Sequence, residues 1–531
     1  MSSYISFLLG ALFIWFVQKV IALRQRRYSN APYPPGPKPK PLIGNALDFP
    51  TSRAPETYLE WGKKYQSDFV FGSALGTSAL VLNKLEDADE LLDRRARKYS
   101  DRPALPVLKL SAPLRMDWEW NVAAQRYGLR WRFHRTLCQQ HFRAVAARNY
   151  YPHILEKTHD MLGRLLRDPE HFEEHNKMLS ISLPMATMYG YNVQSFDDPC
   201  IVAADESTRL GTSLVIPGGT WINVIPALAK IPSWFPGAWG VRSAKKVREL
   251  TNEIQRIPLE FVKKAVENGS AVPSLVGDFL KRKKEGNATE EEEDAILNIA
   301  NTVYSGAFYY LMAINPEIQK KAQDEIDRVV GTGRLPNFDD RPALPYVEAL
   351  YREVLRLAPP VPLGLPHTLT EDDYYKGYFI PKGALSNAQW FYRISGCFGH
   401  WLIYISIYFD RAMSRDEELH QDPLVFKPER YLDERGNLRN DTRVIAYGFG
   451  RRLNIAYRVC AGKHIASATV WMAVASVLAC FNIGKAKDDL GNELDIKDDY
   501  DDFGVLRHKT QFKCTFVPRS SAIQDLIHAA P

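Results

Sequence analysis

Cysteine is scarce and scattered: it occurs at positions 138, 200, 397, 460, 480 and 514 of a 531-residue chain. No two of these form a CxxC pair or stand at zinc-ligand spacing. The sequence therefore offers no zinc finger and no disulfide framework, and a reducing compartment suits the main body. Most of these thiols are expected to be buried as small apolar groups. A strong charge bias is missing too. Lys and Arg number 68 against 62 Asp and Glu, a net charge of +6. With no basic stripe interleaved with aromatics, that excess gives no footprint for nucleic acid, although it permits weak attraction to acidic partners or anionic membrane. Beyond Asn45 there is neither a long low-complexity linker nor an internal repeat.

What is present is a globular composition, 45% hydrophobic and 24% charged, in a chain long enough to bury a large core. Residues 4–23, "YISFLLGALFIWFVQKVIAL", are apolar apart from Gln18 and Lys19. A helix of that length rises about 30 Å, the thickness of a bilayer core. Arg24, Arg26 and Arg27 follow, and no basic side chain precedes Tyr4, so the positive-inside bias puts the bulk of the chain on the cytoplasmic side. A signal peptide would want a charged leader and a small-residue cleavage site, and this stretch has neither. "APYPPGPKPKPLIGN" (31–45) is too rich in proline for helix or central strand. It favours a stiff extended segment that would hold a body at a set angle on a membrane. The expected division is a transmembrane anchor over 1–23, a basic and proline-rich hinge over 24–45, one large body over 46–520, and a tail over 521–531.

Within the body, helical periodicity dominates, as at 134–149, 246–268, 317–330, 346–357 and 461–479. Short strand-like pieces stand at 68–83 and 374–381. "KRKKEG" (281–286) reads as a solvated loop, and "TEEEED" (289–294) as the acidic first turn of a helix. The fold class is mainly α with a smaller β part.

Several motifs carry chemistry. Glu353 and Arg356 lie three apart in "ALYREVLRLAPPVP" and share a helix face. Downstream stands "FKPERYL" (426–432) with Arg430, and upstream "WRFHR" with Trp131 and Arg135 on one face. Near the end comes "YGFGRRLNIAYRVCAGKH" (447–464), which places Cys460 ahead of the apolar helix 461–479. The partial charge at a helix N-terminus helps keep a thiolate ionised.

Taken in order with "YPPGPKPKPLIGN", "YSDRP", "INVIPALAKIPSWFPGA" and "EDDYYKGYFIPKG", these motifs resemble a cytochrome P450 of the fungal microsomal type, from Pro34 to about Pro518. The resemblance implies a P450 fold behind one N-terminal transmembrane helix, in the endoplasmic reticulum membrane. It implies haem b as cofactor, with Cys460 as axial thiolate. Trp131, Arg135, His367 and Arg458 would meet the haem propionates. Glu353, Arg356 and Arg430 match the family's buried structural cluster. The implied activity is insertion of one oxygen atom from O2 into a hydrophobic small molecule, with electrons from an NADPH-cytochrome P450 reductase. Substrate contacts are expected around 102–125 and 205–240.

Three departures accompany the resemblance. The family has one residue between its Arg-Arg pair and the cysteine, whereas Leu453–Val459 intervene here, six too many. The long helix over the haem lacks about ten residues after Ser305-Gly306, including the acid and threonine that relay protons. No catalytic pair is therefore assigned, and Ser305 and Asn301 are the nearest polar groups. Residues 386–410 are an insertion with the apolar core "WLIYISIYF". Such sharp edges point to a mis-spliced or mis-translated chain. Two further readings follow from them: a haem protein that uses or rearranges peroxides, and an inactive P450.

Overall fold

The computed structural model describes residues 31–530, apart from 42, 51–53, 75–76, 104–106, 108–117, 119, 216–219, 221, 223–227, 229, 301–307, 360–363, 387–412, 440–442, 450–459, 498 and 504–505. The expected anchor, Asn301, Ser305, Arg458, the surplus loop residues and nearly all of the 386–410 insertion lie outside the described residues.

The hinge is docked on the body from Ala31 onward. The Pro35 carbonyl accepts from the Phe71 amide at 2.8 Å, and the Pro32 carbonyl from the Phe379 amide at 2.8 Å. Tyr33 stacks on Phe71 with ring centroids 5.0 Å apart. Gly36 is required at this crossing, because a Cβ there would stand 1.8 Å from the Phe71 carbonyl oxygen.

Helix α1 (Ala54–Tyr65) leads into β1 (Phe69–Ala74) and β2 (Thr77–Leu82), which pair antiparallel from Phe69↔Leu82 to Ala74↔Thr77. The helical part follows: α2 (Leu129–Phe142), α3 (Tyr151–Arg167), α4 (Phe172–Tyr189), α5 (Pro199–Val215), α6 (Trp239–Glu267), α7 (Leu275–Lys284), α8 (Glu290–Ala300), α9 (Phe308–Ile314), α10 (Pro316–Val329) and α11 (Pro345–Leu357). The strand β3 (His367–Thr368), the hairpin β4 (Asp373–Tyr375) and β5 (Tyr378–Ile380), and β6 (Leu385–Ser386) return to the β side. The main sheet runs β1-β2-β6-β3. Lys376 and Gly377 turn the β4–β5 hairpin with φ of 46° and 83°, the pairing that a tight hairpin's twist demands.

Helix α12 (Lys463–Cys480) is the one helix among the described residues long and apolar enough to cross a bilayer. It is a core helix instead, with Trp471, Met472, Val477 and Leu478 wholly buried. A helix apolar on every face has no surface to give to water. The chain closes with β7 (Phe481–Lys485), β8 (Tyr500–Phe503), β9 (Leu506–Lys509), β10 (Cys514–Pro518) and α13 (Ser521–Ala529). The stretch expected as a tail is thus a helix, with Ile523 and Ile527 buried against α3.

The basic run at 281–286 differs from its expected loop. Lys281–Lys284 form the last turn of α7, where cations favour the helix dipole. They pair forward to the acidic start of α8, Arg282 with Glu292 at 2.7 Å and Lys283 with Glu293. One apolar core lies among the helices around α11 and α12, and a second joins α1, the sheet and the start of α6.

Candidate functional site

Cys460 stands three residues before α12. Cys138, Cys200, Cys480 and Cys514 are buried, whereas Cys460 is exposed. Yet burial is the main influence on its thiol and pushes it up. The Gly462 amide, the Arg135 guanidinium and the Lys463 ammonium oppose that push and favour the thiolate. On the upstream side the Cys460 amide donates to the Tyr447 carbonyl at 3.0 Å.

Helix α2 supplies the nearby cation. Burial lowers Arg135 below its ordinary value, and Cys138 and Cys460 act in the opposite sense. Cys138, buried one turn along, is pushed up to about 12. Trp131 precedes Arg135 by one turn and is 2% exposed, its ring 5.5 Å from that of Tyr127. Next to it the buried His134 pairs through Nδ1 with Gln125 Nε2 at 2.8 Å. The structure thus brings Arg135 within electrostatic reach of Cys460 and places Trp131 on the same helical face.

His367 comes from the β side. It is 2% exposed, and its Nδ1 lies 2.6 Å from the Tyr99 carbonyl oxygen. A carbonyl only accepts, so Nδ1 carries the proton. Two neighbours had no role in the sequence reading. Arg102 donates to the carbonyls of Ala123, Leu365 and Pro366 at 2.9, 3.0 and 2.5 Å. Asp101 accepts from the Tyr127 amide at 2.7 Å and from Arg126. Together they tie the strand of His367 to the start of α2. The motif "YSDRP" contains both residues, but nothing local in it shows which distant carbonyls they meet. Arg458 lies outside the described residues.

Glu353, Arg356 and Arg430 meet in one buried cluster. Arg356 forks onto Glu353 at 2.7 and 2.8 Å, while Arg430 Nε and the Lys427 amide reach Glu353 Oε1 at 3.0 and 2.9 Å. Arg356 also donates to the carbonyls of Ser414 and Pro423, both at 2.7 Å. The cluster clamps α11 to the segment 414–430. Helix α11 in turn touches the chain leading to Cys460, through Tyr351 Oη and Tyr447 Oη at 2.5 Å.

An accessible thiol at a helix start, the Gly462 amide and the Lys463 and half-buried Arg135 cations acting on it, and the buried Trp131 on the same face as Arg135 form a donor set that suits a thiolate-held haem. The residues present therefore fit that group.

Comparison with known proteins agrees. The cytochrome P450 family model matches residues 34–199, 300–388 and 403–516. It leaves out 389–402, which fall inside the stretch read as an insertion. The chain is 35% identical to the cytochrome P450 monooxygenase COX2 of Coprinopsis cinerea, over 96% of this chain and 93% of that protein. It is 35% identical to the cytochrome P450 monooxygenase 98 of Postia placenta, over 96% and 95%. It is 32% identical to the tryptamine 4-monooxygenase of Psilocybe cyanescens, over 94% and 95%. The family match implies a haem-thiolate oxidoreductase. This chain belongs to the cytochrome P450 family and is similar throughout to fungal P450 monooxygenases.

Proposed function

We propose that the chain inserts one oxygen atom from O2 into a hydrophobic small molecule, with haem b held by Cys460 and electrons supplied by an NADPH-dependent reductase. Haem held by a cysteine thiolate supplies O–O cleavage chemistry. The chain's own residues bind and orient it. Cys460 is the ligand, Arg135 and Trp131 meet the propionates with His367 and Arg458, and the Glu353–Arg356–Arg430 cluster fixes the helix from which the ligand loop is braced. The observation that carries this reading is the Cys460 thiol itself, exposed at the start of α12 and drawn toward the thiolate by the Gly462 amide and the Arg135 guanidinium.

The apolar run 4–23 and the docked hinge support attachment to the endoplasmic reticulum membrane by a single span with the body on the cytoplasmic side. The test is the reduced, CO-bound spectrum of the purified protein. A Soret band at about 450 nm is expected from thiolate ligation, lost in Cys460→Ser. Turnover with NADPH and reductase is expected to exceed turnover with peroxide; peroxide-only turnover would overturn the O2 reading.

A further inference from the structure

Both directions of chain leaving Cys460 lead to Tyr351, upstream through the Tyr447 hydroxyl and downstream through Ser467 and Arg341. Upstream, the Cys460 amide is bonded to the Tyr447 carbonyl at 3.0 Å, and the Tyr447 hydroxyl meets the Tyr351 hydroxyl at 2.5 Å. Downstream, Ser467 on the first turns of α12 accepts from Arg341 Nη2 through its hydroxyl at 2.9 Å. Arg341 is held by Glu348 at 2.8 Å, and its guanidinium lies 5.5 Å from the Tyr351 ring and 5.2 Å from that of Trp471. Tyr351 is 2% exposed and rides on α11, which the Glu353–Arg356 fork already anchors. Tyr447 is half-buried, and a hydrogen bond to the buried Tyr351 hydroxyl is expensive to leave unmade, so this contact holds its geometry.

We propose that the Tyr447–Tyr351 pair, and not the length of chain between Tyr447 and Cys460, sets the position of the Cys460 thiol. Residues 448–459 separate two points that are bonded to each other. The entropy of closing a loop grows only with the logarithm of its length, so extra residues between fixed ends add little. The surplus residues ahead of Arg458 are then tolerated, because the ligand is pinned at Tyr447 and Ser467. Tyr447 and Tyr351 are positioning residues, acting through the backbone of Cys460. The proposal rests on Cys460 as the haem ligand for its functional meaning, but its geometry belongs to the chain alone.

The experiment uses the full chain without haem and follows alkylation of Cys460 by iodoacetamide, read by peptide mass spectrometry. Rates are taken relative to the buried Cys480 in the same molecule, so general opening of the fold cancels. Tyr351→Phe and Tyr447→Phe are each expected to speed Cys460 labelling about three- to tenfold, the release of one part-buried hydrogen bond. The double variant is expected to label no faster than either single one, since one bond is lost in all three. Deletion of Leu453–Tyr457, which spares the propionate-binding Arg458, is expected to leave the rate within about twofold of wild type. In haem-loaded protein the tyrosine variants are expected to move part of the CO band from about 450 nm toward about 420 nm, where the thiolate is no longer held, while the deletion keeps the wild-type band. Unchanged labelling in both tyrosine variants, or acceleration by the deletion as large as theirs, would overturn the proposal. A wild-type chain that takes up no haem defeats the functional reading instead, and the labelling rates still decide this one.

Discussion

Glu353 has no exposed surface, and Arg356, Arg430 and the Lys427 amide all donate to its two oxygens. Removing a partner from such a site leaves a buried charge uncompensated, which costs more than the pair itself is worth. Arg356→Met is therefore expected to destabilise the protein by about 3–5 kcal/mol, because it also strands the Ser414 and Pro423 carbonyls. Denaturant unfolding measures this. His420, half-buried beside the same cluster, is lowered to about 4 by burial and then by Arg356 and Arg430, against the pull of Glu353 and Asp416. Unfolded, it returns to 6.5. Between those pH values the unfolded chain binds more protons, so stability falls as pH drops from 6.5 toward 4. His420→Gln is expected to flatten that part of the unfolding midpoint's pH profile. The cluster's three members were legible in the sequence through the order of their motifs. His420 was not, since its environment is made by side chains far along the chain.

At the scale of elements, two joints depend on partners from elsewhere. Helix α11 starts without a side-chain cap of its own. Glu325 on α10 takes that role, accepting from the Tyr346 amide at 2.9 Å and the Val347 amide at 3.0 Å. Glu325→Ala should cost about 1–2 kcal/mol, the usual loss on removing an N-terminal cap, and thermal unfolding reads it. The hinge is the second joint. Gly36→Val cannot fit against Phe71 and is expected to lift the segment 31–45 off the sheet. Faster hydrogen exchange at the Phe71 amide, which now donates to Pro35, would report it. Periodicity alone located α10, α11 and α12 to within two or three residues, because each buries a continuous apolar face. The basic run at 281–284 was misplaced into a loop because its charges hide the end of α7 from a hydrophobic pattern.

For the whole molecule, a helical core and a β-side core each close on their own residues, with α2, the strand of His367 and the start of α12 supplying the site. A ligand that binds only the folded state stabilises it by mass action. Haem at a hundredfold excess over its dissociation constant should therefore add about 2.7 kcal/mol to unfolding, and Cys460→Ser should lose much of that gain. Comparing unfolding of haem-loaded and haem-free protein checks this.

The sequence by itself determined the family, most of the helical register and the members of the buried Glu-Arg cluster. Apolar spacing and motif order are local or ordered properties that survive in one dimension. Only the tertiary structure decided which bonds brace the site. Tyr351 and Tyr447 stand 96 residues apart and Arg102 stands 263 from the Leu365 carbonyl it holds. Such pairings depend on how packed helices and strands bring distant backbone together, and no periodicity records that.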